Sequence, residues 1–312
     1  MPKNTPGLFF SRNGVARSFA AVTAAALSAM LVTGCDSAEA TDSAATSAVR
    51  PAATDQASAD GNGRYAAVNG GRLYYETHGT GQPLILLHGG LGTGESTFGA
   101  MIPELAKTRR VIAVDMQAHG HTPDFARPLS YEALADDVAA LINHLQLGKA
   151  DLLGYSLGGG VALQVAARTP DLVDRLVIAS APFRSDGWVP ETRAGMAAMN
   201  PDALRETPLF QLYSGVAPDP AGWHDLVTKT RDLLTKDYDW TPQLAQVRAP
   251  ALVLTAESDA LYRDHAADMV VRLNAGKAVS RLEIVPGTTH YDIMYRADLL
   301  LSLIGTFLDT TR

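Results

Sequence analysis

Three residue types stand in an order that could carry acyl chemistry. Ser156 lies within Gly154-Tyr155-Ser156-Leu157-Gly158, a G-x-S-x-G pentapeptide. Asp259 follows the apolar run Ala251-Leu252-Val253-Leu254-Thr255, and His290 lies in Pro286-Gly287-Thr288-Thr289-His290-Tyr291-Asp292. A serine hydroxyl is a weak nucleophile at neutral pH. It needs a base to take its proton, an acid to orient that base, and donors for the oxyanion. The order serine, acid, histidine is the one expected when this pentapeptide forms a sharp strand-to-helix turn. Ser156 is therefore assigned as nucleophile, His290 as base and Asp259 as acid, with Glu257, Asp264 and Asp292 as nearby alternative carboxylates.

The flanking sequence supplies the elements that such a turn requires. Residues 150–153 read as a buried strand and residues 159–167 as a helix, so the serine is pushed out at the carboxyl end of a sheet. Strand and helix then pass so closely that side chains at 154 and 158 would collide. Upstream, Pro83-Leu84-Ile85-Leu86-Leu87 reads as a strand entering His88-Gly89-Gly90-Leu91-Gly92. A glycine-rich turn there can aim backbone N–H groups at a carbonyl oxygen. Gly90, with Leu91 next, and Leu157 are the expected oxyanion-hole donors. His88 is expected to fix this turn by hydrogen bonding, and His119 and His121 to brace the turn after residue 115.

Strands alternate with helical segments from Leu84 onward, which predicts a mostly parallel sheet with helices on both faces. Amphipathic runs at 131–145 and 296–308 would cover it. The alternation stops between Ala181 and Ala249. This stretch, about 182–249, is expected to be a helical cap over the serine. It holds Phe183, Trp188, Phe210, Tyr213, Trp223, Tyr238 and Trp240, most of which are expected to form the cap's own small core.

With these pieces in order, residues 64–312 resemble the α/β-hydrolase fold, in its branch of esterases, lactonases and cofactor-free haloperoxidase-like hydrolases. Tyr74-Tyr75-Glu76-Thr77-His78-Gly79 and Asp115-Met116-Gln117-Ala118-His119-Gly120-His121-Thr122 carry the resemblance further. Ala118 stands where glycine is common in that family. Dehalogenases and epoxide hydrolases of this fold place an aspartate at the elbow, whereas this chain has Ser156. The resemblance implies an ester or lactone hydrolase acting through an acyl-enzyme, with no cofactor. The same triad could serve amide, thioester or carbon–carbon hydrolysis, or perhydrolysis. Acyl transfer to an envelope lipid and a non-catalytic binding role are the other classes. No H-x-x-x-H pair or cysteine cluster suggests a metal site.

The N-terminus carries a second signal. Lys3, Arg12 and Arg17 precede an apolar, alanine-rich run that ends in Leu31-Val32-Thr33-Gly34-Cys35. The run is short for a membrane span and suits a secretory signal. Its end resembles the lipobox of bacterial lipoproteins, which implies removal of residues 1–34 and lipid attachment at Cys35. The chain has one cysteine, so Cys35 has no intrachain disulfide partner. Two or three acyl chains would anchor the protein stably at the cell envelope. Residues 35–63 are rich in Ala, Ser, Thr and Asp without hydrophobic period and read as a disordered tether. As a flexible coil it would reach about 30 Å from the membrane.

The formal charge is −7. The first 34 residues carry three basic side chains and no acidic one, so without them it becomes −10. That balance disfavours nucleic acid and anionic membrane surfaces as partners. No sequence feature reports oligomeric state.

Overall fold

The computed structural model describes residues 56–57, 63–275 and 279–310. All belong to the compact unit Pro51–Arg312. The signal-peptide reading of residues 1–34 and the Cys35 anchor lie outside the described residues.

Nine strands among the described residues form one sheet: β1 (Gln56–Ala57), β2 (Arg64–Val68), β3 (Gly71–His78), β4 (Gln82–Leu87), β5 (Arg109–Asp115), β6 (Ala150–Tyr155), β7 (Val173–Ala179), β8 (Ala251–Ser258) and β9 (Arg281–Thr289). Their spatial order is β1-β2-β3-β5-β4-β6-β7-β8-β9. The first strands pair antiparallel as far as β3 with β5, and every pairing from β5 to β9 is parallel. The β2–β3 hairpin turns on Asn69 and Gly70, both at positive φ (45° and 86°). Such a turn matches the twist of its strands.

One expectation is corrected here. The tether predicted over 35–63 includes Gln56–Ala57, which pairs with Tyr65 and Arg64 as β1. The free edge of β2 offers backbone hydrogen bonds to any chain that reaches it, whatever its composition. Gly63 is already buried, where a Cβ would fall 2.3 Å from the Tyr74 ring.

The central strands are apolar on both faces because both are covered. Ile85 and Leu87 of β4 and Ile112 and Val114 of β5 pack toward the helices Tyr131–His144 and Leu157–Arg168. The alternate residues Leu84, Leu86, Val111 and Ala113 pack toward Gly94–Phe98 and Ala297–Leu308. This strict alternation is the two-residue period of a strand. Ser130 starts the first of these helices by accepting from the Ala133 amide, leaving the apolar stripe of 131–142 to face the sheet.

Five α-helices lie between β7 and β8: Pro190–Ala197, Pro201–Arg205, Pro208–Val216, Trp223–Thr235 and Thr241–Leu244. Their aromatics divide in two. Tyr213 and Trp223, with Phe210 against them, form a small cluster with Leu91 and Ala118. Phe183, Trp188 and Trp240 instead sink into the main core, with Tyr238 packed against it. The cap's own core is therefore smaller than expected, because much of the insertion lies directly on the sheet-side helices and shares their core.

Candidate active site

The order of the central strands places the site. The chain leaves β4 toward β5 on one side, then crosses back to β6 on the other. A crevice opens at the carboxyl ends where the strand order reverses. Gly89 and Gly90 emerge there from β4, and Ser156 emerges from β6.

Ser156 takes φ 53° and ψ −115°, immediately before the helix Leu157–Arg168. A non-glycine residue at positive φ is strained and persists only where its surroundings hold it. Here its amide donates to Ala179 O at 2.9 Å, and its carbonyl accepts from Gly159 and Gly160. The flanking glycines are steric necessities. A Cβ at Gly154 would lie 2.2 Å from Gly158 O, and one at Gly158 would lie 2.1 Å from Leu87 O.

The structure brings the three assigned side chains together. His290 Nε2 stands 3.2 Å from Ser156 Oγ, and His290 Nδ1 stands 2.9 Å from Asp259 Oδ1. His290 and Asp259 are nearly sealed from solvent, with side chains 8% and 3% exposed. With a carboxylate on Nδ1, the ring's Nε2 lone pair faces the serine hydroxyl. Asp259 also accepts from Ser180 Oγ (2.6 Å), the Ala256 amide (2.8 Å) and the Ala260 amide (2.7 Å). Burial pushes its pKa up, but hydrogen bonds and the His290 charge outweigh that and hold it below the ordinary carboxylate value. The alternative Glu257 is exposed and accepts from the Gly287 amide at 2.9 Å. Asp292 caps the same loop through the Thr289 amide.

Gly90 and Leu157 are neighbours: a Cβ on Gly90 would lie 3.9 Å from Leu157 Cδ1. Among the described residues, the amides of Gly90, Leu91 and Leu157 donate to no backbone carbonyl. The turn is pinned from below. The Met116 amide donates to His88 Nε2 at 3.0 Å, so the ring proton lies on Nδ1 and donates to Gly89 O at 2.7 Å. Burial lowers the His88 pKa, and burial together with His88 lowers that of His119 to about 3. His119 Nδ1 meets Gln117 O at 2.9 Å, and His121 pairs with Asp115 at 2.9 Å. All three histidines brace turns and none reaches Ser156.

Sequence reasoning missed Ser180, Tyr155 and Trp188. Tyr155 donates its hydroxyl to His290 O at 2.5 Å, and Trp188 packs edge-on against the His290 ring at 5.5 Å. The position of Ser180 just past a parallel strand was the available signal for that residue.

A cleft of about 470 Å3 reaches His290 and Gly90 from beneath the cap, walled by Leu91, Met196, Met199, Leu204 and Leu209. Glu191 is the one carboxylate among its lining residues. Among the described residues, no group of three or more His, Cys, Asp or Glu could hold a metal. No helix among them is long and apolar enough to cross a membrane.

The α/β-hydrolase fold model matches residues 82–214. Serine hydrolase BPHL from Homo sapiens is 30% identical over 250 residues, covering 78% of this chain and 84% of that one. An enol-lactonase from Burkholderia xenovorans LB400 superimposes with a TM-score of 0.63 at 25% identity, covering 79% of this chain and 100% of the other. A hydrolase from Pseudomonas aeruginosa PA01 gives a TM-score of 0.62 at 25% identity, over 80% and 99%. The chain belongs to the α/β-hydrolase family, and its relatives there include hydrolases of several kinds.

Proposed function

We propose that this protein is a serine hydrolase that cleaves a small, hydrophobic carboxylic ester or lactone through an acyl-enzyme on Ser156. The observation that carries this reading is His290, bridging Ser156 at 3.2 Å and Asp259 at 2.9 Å. The serine contact is at the long end of the hydrogen-bond range, as is common before a substrate tightens it.

Ser156 attacks the carbonyl as His290 Nε2 takes its proton, and Asp259 holds the imidazolium that forms. The amides of Gly90 and Leu157 receive the developing negative charge at the helix start, where backbone N–H groups converge. His290 then passes its proton to the leaving alkoxide. Water, deprotonated by the same ring, attacks the acyl-enzyme and regenerates Ser156. The apolar cleft favours hydrophobic acyl or alcohol groups, and its volume lies within the range of small-molecule sites.

Intact-mass reading of the whole protein after exposure to a fluorophosphonate tests the nucleophile. One adduct on the native chain and none on Ser156→Ala supports the reading; equal labelling of both overturns it. Ester, amide and vinylogous diketone substrates compared side by side separate ester hydrolysis from its alternatives.

The N-terminal sequence supports the further proposal that the enzyme is exported and held at the cell envelope through lipid on Cys35. Cys35→Ser should abolish palmitate labelling and leave turnover unchanged. A Cys35→Ser chain that still takes up palmitate would overturn the anchor.

A further inference from the structure

Thr230 lies on the cap helix Trp223–Thr235, fully buried, and its hydroxyl oxygen has no hydrogen-bond partner. Helical threonines usually return such a hydroxyl to the carbonyl one turn back. Thr235, on the same helix, does so to Arg231 O at 2.8 Å, and Thr169 does so to Val165 O at 2.9 Å. Thr230 does not. Among the described residues that line the active-site cleft, it alone carries such an orphaned buried side-chain atom.

Its position gives the orphan a use. The Thr230 methyl lies 3.3 Å from where a Cβ on Gly90 would stand, with Leu234 Cδ1 at 3.7 Å from the same point. The threonine therefore roofs the turn that presents the Gly90 amide. Valine would fill the same volume with no desolvated hydroxyl, and would be the more stable choice. A polar atom kept against local stability at a cleft wall points to a partner that arrives with the substrate.

We propose that Thr230 is a substrate-binding residue supplied by the cap. A χ1 step exchanges its methyl and hydroxyl, and threonine in a helix has two rotamers open to it. The hydroxyl then donates to the acyl oxygen held over Gly90, joining the backbone amides from the opposite side of the cleft. The cap thereby contributes to the chemistry as well as to the enclosure of the site. This inference rests on the hydrolase reading above.

The test compares native protein, Thr230→Val and Thr230→Ser, using p-nitrophenyl butyrate turnover, fluorophosphonate labelling and thermal unfolding. Thr230→Val should unfold at a higher temperature than the native chain, yet lose ten- to a hundredfold in kcat with KM little changed. Thr230→Ser should keep kcat within about threefold. A Thr230→Val protein with raised stability and native kcat would make the hydroxyl a bystander and overturn the proposal. Equal loss of kcat in both variants would show that keeping the hydroxyl does not rescue turnover and overturn it as well. A native protein that neither turns over nor labels would instead sink the hydrolase reading, and this inference with it.

Discussion

Ser180 donates its hydroxyl to Asp259 Oδ2 at 2.6 Å, joining the ends of β7 and β8 beneath His290. Ser180 is fully buried and holds a positive φ of 51°, so the chain bears backbone strain at this point to aim the hydroxyl. The carboxylate that bonds the His290 ring is thus itself held in place, by a residue that no motif marks.

Ser180→Ala should lower kcat about three- to tenfold, because a hydrogen bond to a charged group contributes about 1.5–3 kcal/mol and other donors to Asp259 remain. It should also change the pH dependence of stability. The Asp259 pKa is depressed in the folded protein, so its contribution is present above the unfolded carboxylate value and lost as pH falls through the folded one. Without Ser180 the folded value rises, and the gap narrows. The stability difference between pH 7 and pH 3, measured by urea unfolding, should therefore be smaller in Ser180→Ala than in the native chain.

Asp259→Asn should reduce kcat by about three to four orders of magnitude, the scale known when a triad aspartate loses its charge. Glu257→Gln should stay within about twofold, since the exposed Glu257 holds only the Gly287 amide. A steady-state comparison of the two variants settles the acid. The reverse ranking would move the role to Glu257.

Ala118 occupies φ 66°, the left-handed region that favours glycine, while it is buried in the cluster that holds Leu91, Tyr213 and Trp223. Ala118→Gly relieves about 1 kcal/mol of backbone strain. It also loses a buried methyl, worth about 0.8 kcal/mol, and loosens the unfolded chain by about 0.4–1 kcal/mol. The opposing effects should leave stability within about 1 kcal/mol of native by urea midpoint. A loss above 2 kcal/mol would mean that the methyl anchors the cap.

Glu191 should discriminate substrates by charge. For esters matched in size, a succinate-type hemiester should show lower kcat/KM than its neutral counterpart. Glu191→Lys should improve the hemiester by up to about thirtyfold, because a unit charge about 4 Å away contributes about 1 kcal/mol in water, the reversal counts it twice, and about 1.4 kcal/mol is tenfold. The gain should shrink in 1 M salt, where the Debye length is about 3 Å. An improvement that salt leaves unchanged would place the effect in packing.

Much of this protein is determined within short stretches of its sequence. The elbow at Ser156 is legible because steric demands at Gly154 and Gly158 act over four residues. The helices Tyr131–His144 and Ala297–Leu308 are legible because their apolar period is local, and the parallel sheet because strands and helices alternate. The order serine, aspartate, histidine could be read for the same reason, since each residue follows its own strand. Tertiary structure alone decided the rest. Placing β4 between β5 and β6 sets the Gly90 turn beside Ser156, and pairing β7 with β8 brings Ser180 under Asp259. The return of the cap over the cleft lays Thr230 on Gly90 and Trp188 against His290. These contacts join residues tens to more than a hundred positions apart. Strand order, crossovers and shared core packing set their distances, and no local period or turn chemistry encodes those.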